Sequence, residues 1–179
     1  MITDAAVAVL GVVAYSGTGK TTLLQGVLPL LTKRGIRCAV VKHSHHDFEI
    51  DIPGKDSHRL RTAGAQQVLL ASPHRRFWVE EGDGVSEPRL DELIARLDLP
   101  HLDLVLVEGF REARLAKIEV CRPALGNPML CRHDPDVIAV AADAEIQPAL
   151  AIPVLPLNRP EDVTAFIADW MSRQSAAST

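Results

Sequence analysis

Apolar and polar positions along this chain follow two periods. Short, nearly continuous apolar runs occupy residues 6–13, 38–42, 67–71, 104–108, 117–121, 137–142 and 154–157. A run such as Leu104-Val-Leu-Val107 leaves no polar face, which predicts a strand covered on both sides, as in a parallel sheet. Between the runs the period lengthens. Leu23, Leu24, Val27, Leu30 and Leu31 recur at helical spacing and predict a helix over residues 20–34, stopped by Gly35 and expected to kink at Pro29. Residues 57–63, 89–97 and 161–171 predict three more helices, the last preceded by Pro160, which suits a first helical turn. Strand–helix alternation of this kind predicts a three-layer α/β fold, a mainly parallel sheet flanked by helices. One domain is expected over residues 1–172, with residues 173–179 as a frayed tail. Residues 75–81 are a candidate extra strand, residues 80–88 an acidic loop, and residues 122–135, rich in Pro, Gly and Asn, a second loop.

Chemistry enters at the end of the first run. Ala14-Tyr-Ser-Gly-Thr-Gly-Lys-Thr-Thr22 lies between a predicted strand and a predicted helix, the setting of a phosphate-binding P-loop. Small residues there let backbone N–H groups converge on phosphate oxygens. Lys20 is placed to reach the terminal phosphates, and the Thr21 hydroxyl to hold Mg²⁺. The helix N-terminus adds a favourable dipole. The motif departs from its usual form once: Ala14 stands where glycine is customary. A P-loop also needs an acid near the metal, projecting from a neighbouring buried strand. Glu108, closing the run 104–108, is the candidate, in a place where Asp is more common.

Charge and composition narrow the partners. A net charge of −4 gives no argument for nucleic acid, and no apolar stretch is long enough to cross a membrane. The start, Met1-Ile-Thr-Asp, lacks a basic n-region and a cleavage signal, so a cytoplasmic location is expected. Cys38, Cys121 and Cys131 form no CxxC pair and read as reduced, packed thiols.

Two further clusters carry a resemblance. One is Lys42-His-Ser-His-His-Asp47 with Asp51-Ile-Pro-Gly-Lys-Asp-Ser57 and Leu60-Arg-Thr-Ala-Gly-Ala65; the other is Leu102-Asp-Leu-Val-Leu-Val-Glu-Gly-Phe110 with Lys117-Ile118. Together with Ser16-Gly-Thr-Gly-Lys-Thr-Thr-Leu23 they resemble the MobB family, the molybdopterin-guanine dinucleotide biosynthesis adapter proteins, over residues 7–170. The resemblance implies a P-loop, GTP-binding homodimer with weak intrinsic GTPase activity. Such a protein assists a molybdopterin guanylyltransferase in attaching GMP to molybdopterin, giving the guanine dinucleotide form of the molybdenum cofactor. It is not expected to perform the transfer itself. By carry-over, Gly17, Thr18, Gly19, Lys20, Thr21 and Thr22 contact the phosphates and Mg²⁺. Lys20, Glu108 and Asp47 are the candidate catalytic groups, Asp47 as a metal-shell or water-positioning carboxylate. Thr21 and Glu108 are the candidate metal ligands.

Other readings stay open on the residues alone. The Asn-Lys-x-Asp guanine signature is missing, so ATP and GTP are equally compatible with the motif, and the resemblance is what favours GTP. Asp143, ending the run 137–142, and Asn158, after the last run, are the candidate base readers. Lys42, Lys55, Arg59 and Arg61 form a local basic excess suited to the phosphates of GTP and molybdopterin. Arg59 and Arg61, two apart on a helix, point different ways, so only one, with Arg61 as the candidate, can face a ligand. His43, His45 and His46 raise a transition-metal reading, and with it a nickel metallochaperone GTPase. An ATP-dependent small-molecule synthetase or kinase of the same fold is the other alternative.

Overall fold

The computed structural model describes residues 7–44 and 48–177. The described chain forms two compact units, one from the flanks of the sequence, up to His43 and from Arg89 onward, and one from Ser44–Pro88. The break falls just after the second predicted strand, and the chain rejoins the larger unit ahead of the third predicted helix.

The larger unit is a six-stranded sheet. Its strands are β1 (Ala8–Val13), β2 (Cys38–Lys42), β5 (Leu104–Glu108), β6 (Lys117–Cys121), β7 (Val137–Ala142) and β8 (Val154–Pro156). They lie in the order β2-β5-β1-β6-β7-β8, and every neighbouring pair is parallel. The helices α1 (Lys20–Lys33) and α4 (Pro160–Ala177) cover one face. They pack Leu23, Leu24, Val27, Leu31, Val163, Ile167 and Trp170 onto Leu10, Val12, Leu104, Leu106, Ile118, Val120, Ala139 and Ala141. The short helix α3 (Leu90–Ala95) brings Leu90 and Ile94 to Val105 and Val107 on the other face. All five residues of β5 are buried, which is why its run carries no polar alternation. Each fully buried Leu or Val in this core contributes about 1.5–3 kcal/mol through removal from water. Pro29 lies within α1, on its exposed side, and the helix continues to Lys33. The tail expected from residue 173 is instead helical as far as Ala177, because α4 extends beyond Trp170 without a breaker.

The smaller unit holds α2 (Asp56–Thr62), β3 (Gln67–Ala71) and β4 (Arg76–Glu80). β3 and β4 pair antiparallel as a separate two-stranded sheet, so the third predicted strand does not join the parallel sheet. The connection is the reason. Only Ser72-Pro-His-Arg75 separates the strands, enough for a hairpin but far too short for a parallel crossover. Ser72 closes the turn, its hydroxyl accepting from the N–H groups of His74 and Arg75 at 3.2 Å each.

Candidate nucleotide site

Parallel strands end on one edge, and the candidate site assembles there. The P-loop leaves β1 and enters α1 at Gly19, whose φ of 107° is open to glycine and strained for any other residue. Ala14, the departure from the usual motif, is buried in the core against α1 and is not among the residues with positive φ. Its position needs a small side chain rather than glycine's conformational freedom. Thr18 is buried as well, and its hydroxyl donates to the Tyr15 carbonyl at 2.8 Å. The Thr18 side chain therefore braces the loop instead of facing a ligand.

Lys20 extends back along the loop, its Nζ donating to the carbonyls of Ala14 at 3.1 Å and Tyr15 at 3.3 Å. Its pKa is lowered, first by burial; Glu108 acts against that shift, and Arg111 and Lys42 add to it. The Thr21 hydroxyl donates to Glu108 Oε1 at 3.0 Å and lies 3.2 Å from Oε2. Glu108 is 6% exposed and is the register partner of Lys42 across β2 and β5. Lys42 Nζ consequently reaches Glu108 Oε1 at 3.0 Å and Thr21 Oγ1 at 3.3 Å. Thr21 and Glu108 thus share a point already favourable to a positive charge, here supplied by an ammonium group. That oxygen pair fits a hard cation such as Mg²⁺, which would neutralise phosphate charge when bound.

If Lys42 stands in for the metal, it competes with it. Lys42→Met is expected to lower the Mg²⁺ concentration needed for half-maximal nucleotide binding by roughly 5- to 10-fold, the effect of removing one competing charge. Calorimetric titrations at stepped Mg²⁺ concentrations check this. A fall in nucleotide affinity at saturating Mg²⁺ would instead make Lys42 a phosphate ligand.

Beyond Glu108 the chain turns sharply. Gly109 has φ 93°, and a Cβ there would lie 2.9 Å from His43 Cβ. The next residue, Phe110, stacks on the His43 ring with centroids 4.7 Å apart. Two arginines that sequence reasoning left without a role flank the loop. Arg111 lies over the Tyr15 ring at 4.6 Å and donates to the Ala14 carbonyl at 3.4 Å. Arg122, the first residue after β6, donates to the Thr18 carbonyl at 2.9 Å and to Asp143 at 2.5 Å. Knowing that β6 borders β1 would have pointed to Arg122, but that adjacency is not visible in the sequence.

The remaining expected site residues divide. Asp143 and Asn158 lie at neighbouring strand ends on the P-loop edge, since Leu157 N–H donates to the Ala142 carbonyl at 2.8 Å. Asp143, however, is engaged by Arg122 and so ties the P-loop in place. Arg61 belongs to the smaller unit, where its guanidinium meets Glu49 and Glu81 at 2.7 Å each and Asp51 at 3.9 Å. Its charge is met by carboxylates, which argues against the anion-binding role expected of it; Arg59 is exposed, 3.9 Å from Asp56. Thr22 is exposed in the first turn of α1. Asp47, His45 and His46 lie outside the described residues. Among the described residues, no group of three or more His, Cys, Asp or Glu side chains is placed to hold a metal. The three thiols are free, and burial pushes Cys38 and Cys131 up to about 11.

Fold and loop together define a P-loop-type α/β protein. Comparison with known proteins narrows this. The family model described as molybdopterin guanine dinucleotide synthesis protein B matches residues 9–143. A molybdopterin-guanine dinucleotide biosynthesis adapter protein of Escherichia coli is 44% identical over 163 residues, 90% of this chain and 92% of that protein. Its counterpart in Haemophilus influenzae is 40% identical over 162 residues, 90% of this chain and 88% of that protein. A crystal structure of molybdopterin-guanine biosynthesis protein B superposes with a TM-score of 0.72 at 28% identity, covering 92% of this chain and 99% of that one. The chain belongs to the MobB family.

Proposed function

We propose that this protein is a GTP-binding adapter in the biosynthesis of molybdopterin guanine dinucleotide, assisting the guanylyltransferase that joins GMP to molybdopterin. The observation that carries the nucleotide half of this reading is the convergence of Lys20, Thr21 and Glu108 at the end of β1. The pathway half rests on relatives that match nine-tenths of the chain. Glu108 is committed to Thr21 and Lys42, which suits a metal-site carboxylate better than a base that activates water, and slow intrinsic hydrolysis follows. Leu69, Leu70 and Trp78 on the β3–β4 hairpin are exposed, an apolar surface suited to a second copy in a homodimer. Work on a cofactor precursor suits a cytoplasmic protein, and no helix among the described residues is long and apolar enough to cross a membrane.

Calorimetry with Mg²⁺ tests the nucleotide assignment. GTP is expected to bind at least ~10-fold more tightly than ATP, the discrimination a hydrogen-bonding base site supplies. Equal affinities, or a preference for ATP, would move the protein to the ATP-dependent small-molecule enzymes.

A further inference from the structure

A cleft of about 330 Å³ opens beside the P-loop edge, at the ends of β6 and β7. Its volume lies at the lower end of the range for small-molecule sites. The cleft is built on fixed supports. Glu119, 2% exposed on β6, accepts the N–H groups of Leu130 and Cys131 at 2.7 and 2.8 Å. Lys117, two residues earlier on the same face, holds Asp134 at 2.7 Å. These two buried groups pin the loop following β6 to the sheet. Met129 and Ile146 line the cleft and also pack into the apolar cluster around Cys121, Val140 and Ala142. Arg122, next in sequence to the lining residue Cys121, bonds to the P-loop carbonyl of Thr18, so the cleft adjoins the phosphate site.

Its lining offers both flat apolar contact and a specific edge chemistry. Pro123, Met129 and Ile146 supply the first; Asn127, Glu145 and Gln147 supply the second. Asp143 pairs with Arg122 and does not line the cleft; Glu145 is the carboxylate that the cleft presents, with Oε2 left for a ligand. Gln147 Nε2 donates to Glu145 Oε1 at 2.5 Å and steadies it. A carboxylate accepts two neighbouring N–H donors, and the side-chain amides can donate to an adjacent carbonyl. The bicyclic edge that matches is a 2-amino-4-oxopyrimidine, with ring N–H and exocyclic NH₂ side by side next to a carbonyl. Adenine presents a ring-nitrogen lone pair there and would meet the carboxylate acceptor to acceptor.

We propose that this cleft seats a 2-amino-4-oxopyrimidine ring, read by Glu145. The proposal rests on the functional reading above and deepens it, because guanine and pterins carry this same edge. The two sources separate experimentally. Wild type and Glu145→Gln are titrated with Mg²⁺–GTP, with Mg²⁺–tripolyphosphate, which has no base, and with 6-hydroxymethylpterin followed by its fluorescence. Glu145 is exposed and the replacement is isosteric, so the variant should melt like wild type. A loss of at least ~10-fold in GTP affinity with tripolyphosphate unchanged assigns the cleft to the guanine of the P-loop nucleotide. Loss of pterin binding with GTP unchanged assigns it to a pterin. Affinities for GTP and pterin alike within twofold in both proteins, or no binding of either ring by wild type, would overturn the proposal. The P-loop reading is judged separately, by whether tripolyphosphate binds wild type and is lost in Lys20→Ala.

Discussion

Lys20→Ala should bind Mg²⁺–GTP at least ~100-fold more weakly than wild type, at a nearly unchanged melting temperature. Among the described residues, the ammonium is hydrogen-bonded to two neutral carbonyls, Ala14 and Tyr15. Burial disfavours its charge, and although Glu108 offsets this, Arg111 and Lys42 oppose it further. Removing the side chain therefore costs the unliganded fold little. A bound polyphosphate would replace those carbonyls with anionic oxygens, and charge-assisted bonds of this kind contribute about 1.5–3 kcal/mol each. The loss falls almost wholly on binding. Lys20→Arg should not restore it, since a planar guanidinium does not fit a position built for a compact ammonium. Calorimetry paired with thermal melts checks both halves. Retention of affinity within roughly fivefold would remove the P-loop from the account of this protein.

The largest effect on stability is expected at Lys117, which is 1% exposed. Lys117→Ala should cost about 3 kcal/mol, the lower end for breaking a buried ion pair, because Asp134 keeps some solvent contact. For a chain of this size that lowers the melting temperature by roughly 6–12 °C. The variant abandons Asp134, whose other oxygen takes the Asp136 N–H at 2.9 Å, and empties space along the stem. Gly11, the strand neighbour, makes room for that stem: a Cβ there would lie 2.9 Å from Lys117 Cγ. Lys117→Met keeps the volume and should lose less; adding Asp134→Asn should recover part of the remainder.

The pair also leaves a mark on acid stability. Burial works against the Asp134 carboxylate, but the Lys117 ammonium and the Asp136 N–H outweigh it and hold its pKa below the ordinary value. A carboxylate depressed on folding adds stability above its ordinary pKa, and that stability disappears as pH falls through the depressed value. Lys117→Ala should therefore flatten the acid limb of the stability profile. Denaturant unfolding between neutral and acid pH measures both effects, and a loss below about 1 kcal/mol at neutral pH would show that the pair is not structurally important.

Most of the larger unit was legible in the chain because its elements are governed by local rules. Continuous apolar runs mark strands covered on both faces, and helical spacing in residues 20–34 marks α1. The P-loop was legible for the same reason, since its strand, turn and helix are contiguous. The hairpin was half legible: both strands could be named and their short connection requires antiparallel pairing, but that they form a sheet of their own was decided by the tertiary structure. The separation of Ser44–Pro88 as its own unit left no composition boundary to read.

By itself, then, the sequence determined most element types, the P-loop motif that carries Lys20 and Thr21, and the family. These depend on residues near one another in the chain or on motifs at fixed spacing. Tertiary structure alone decided how distant charges are used. Lys42 and Glu108 meet because β2 and β5 pair in register. Arg122 reaches both Thr18 and Asp143 because β6 lies between β1 and β7. Arg61 meets Glu49 and Glu81 because the chain folds those carboxylates around α2. Charge interactions at 3 Å depend on strand order and register, and neither can be read from the identities of the residues that carry the charge.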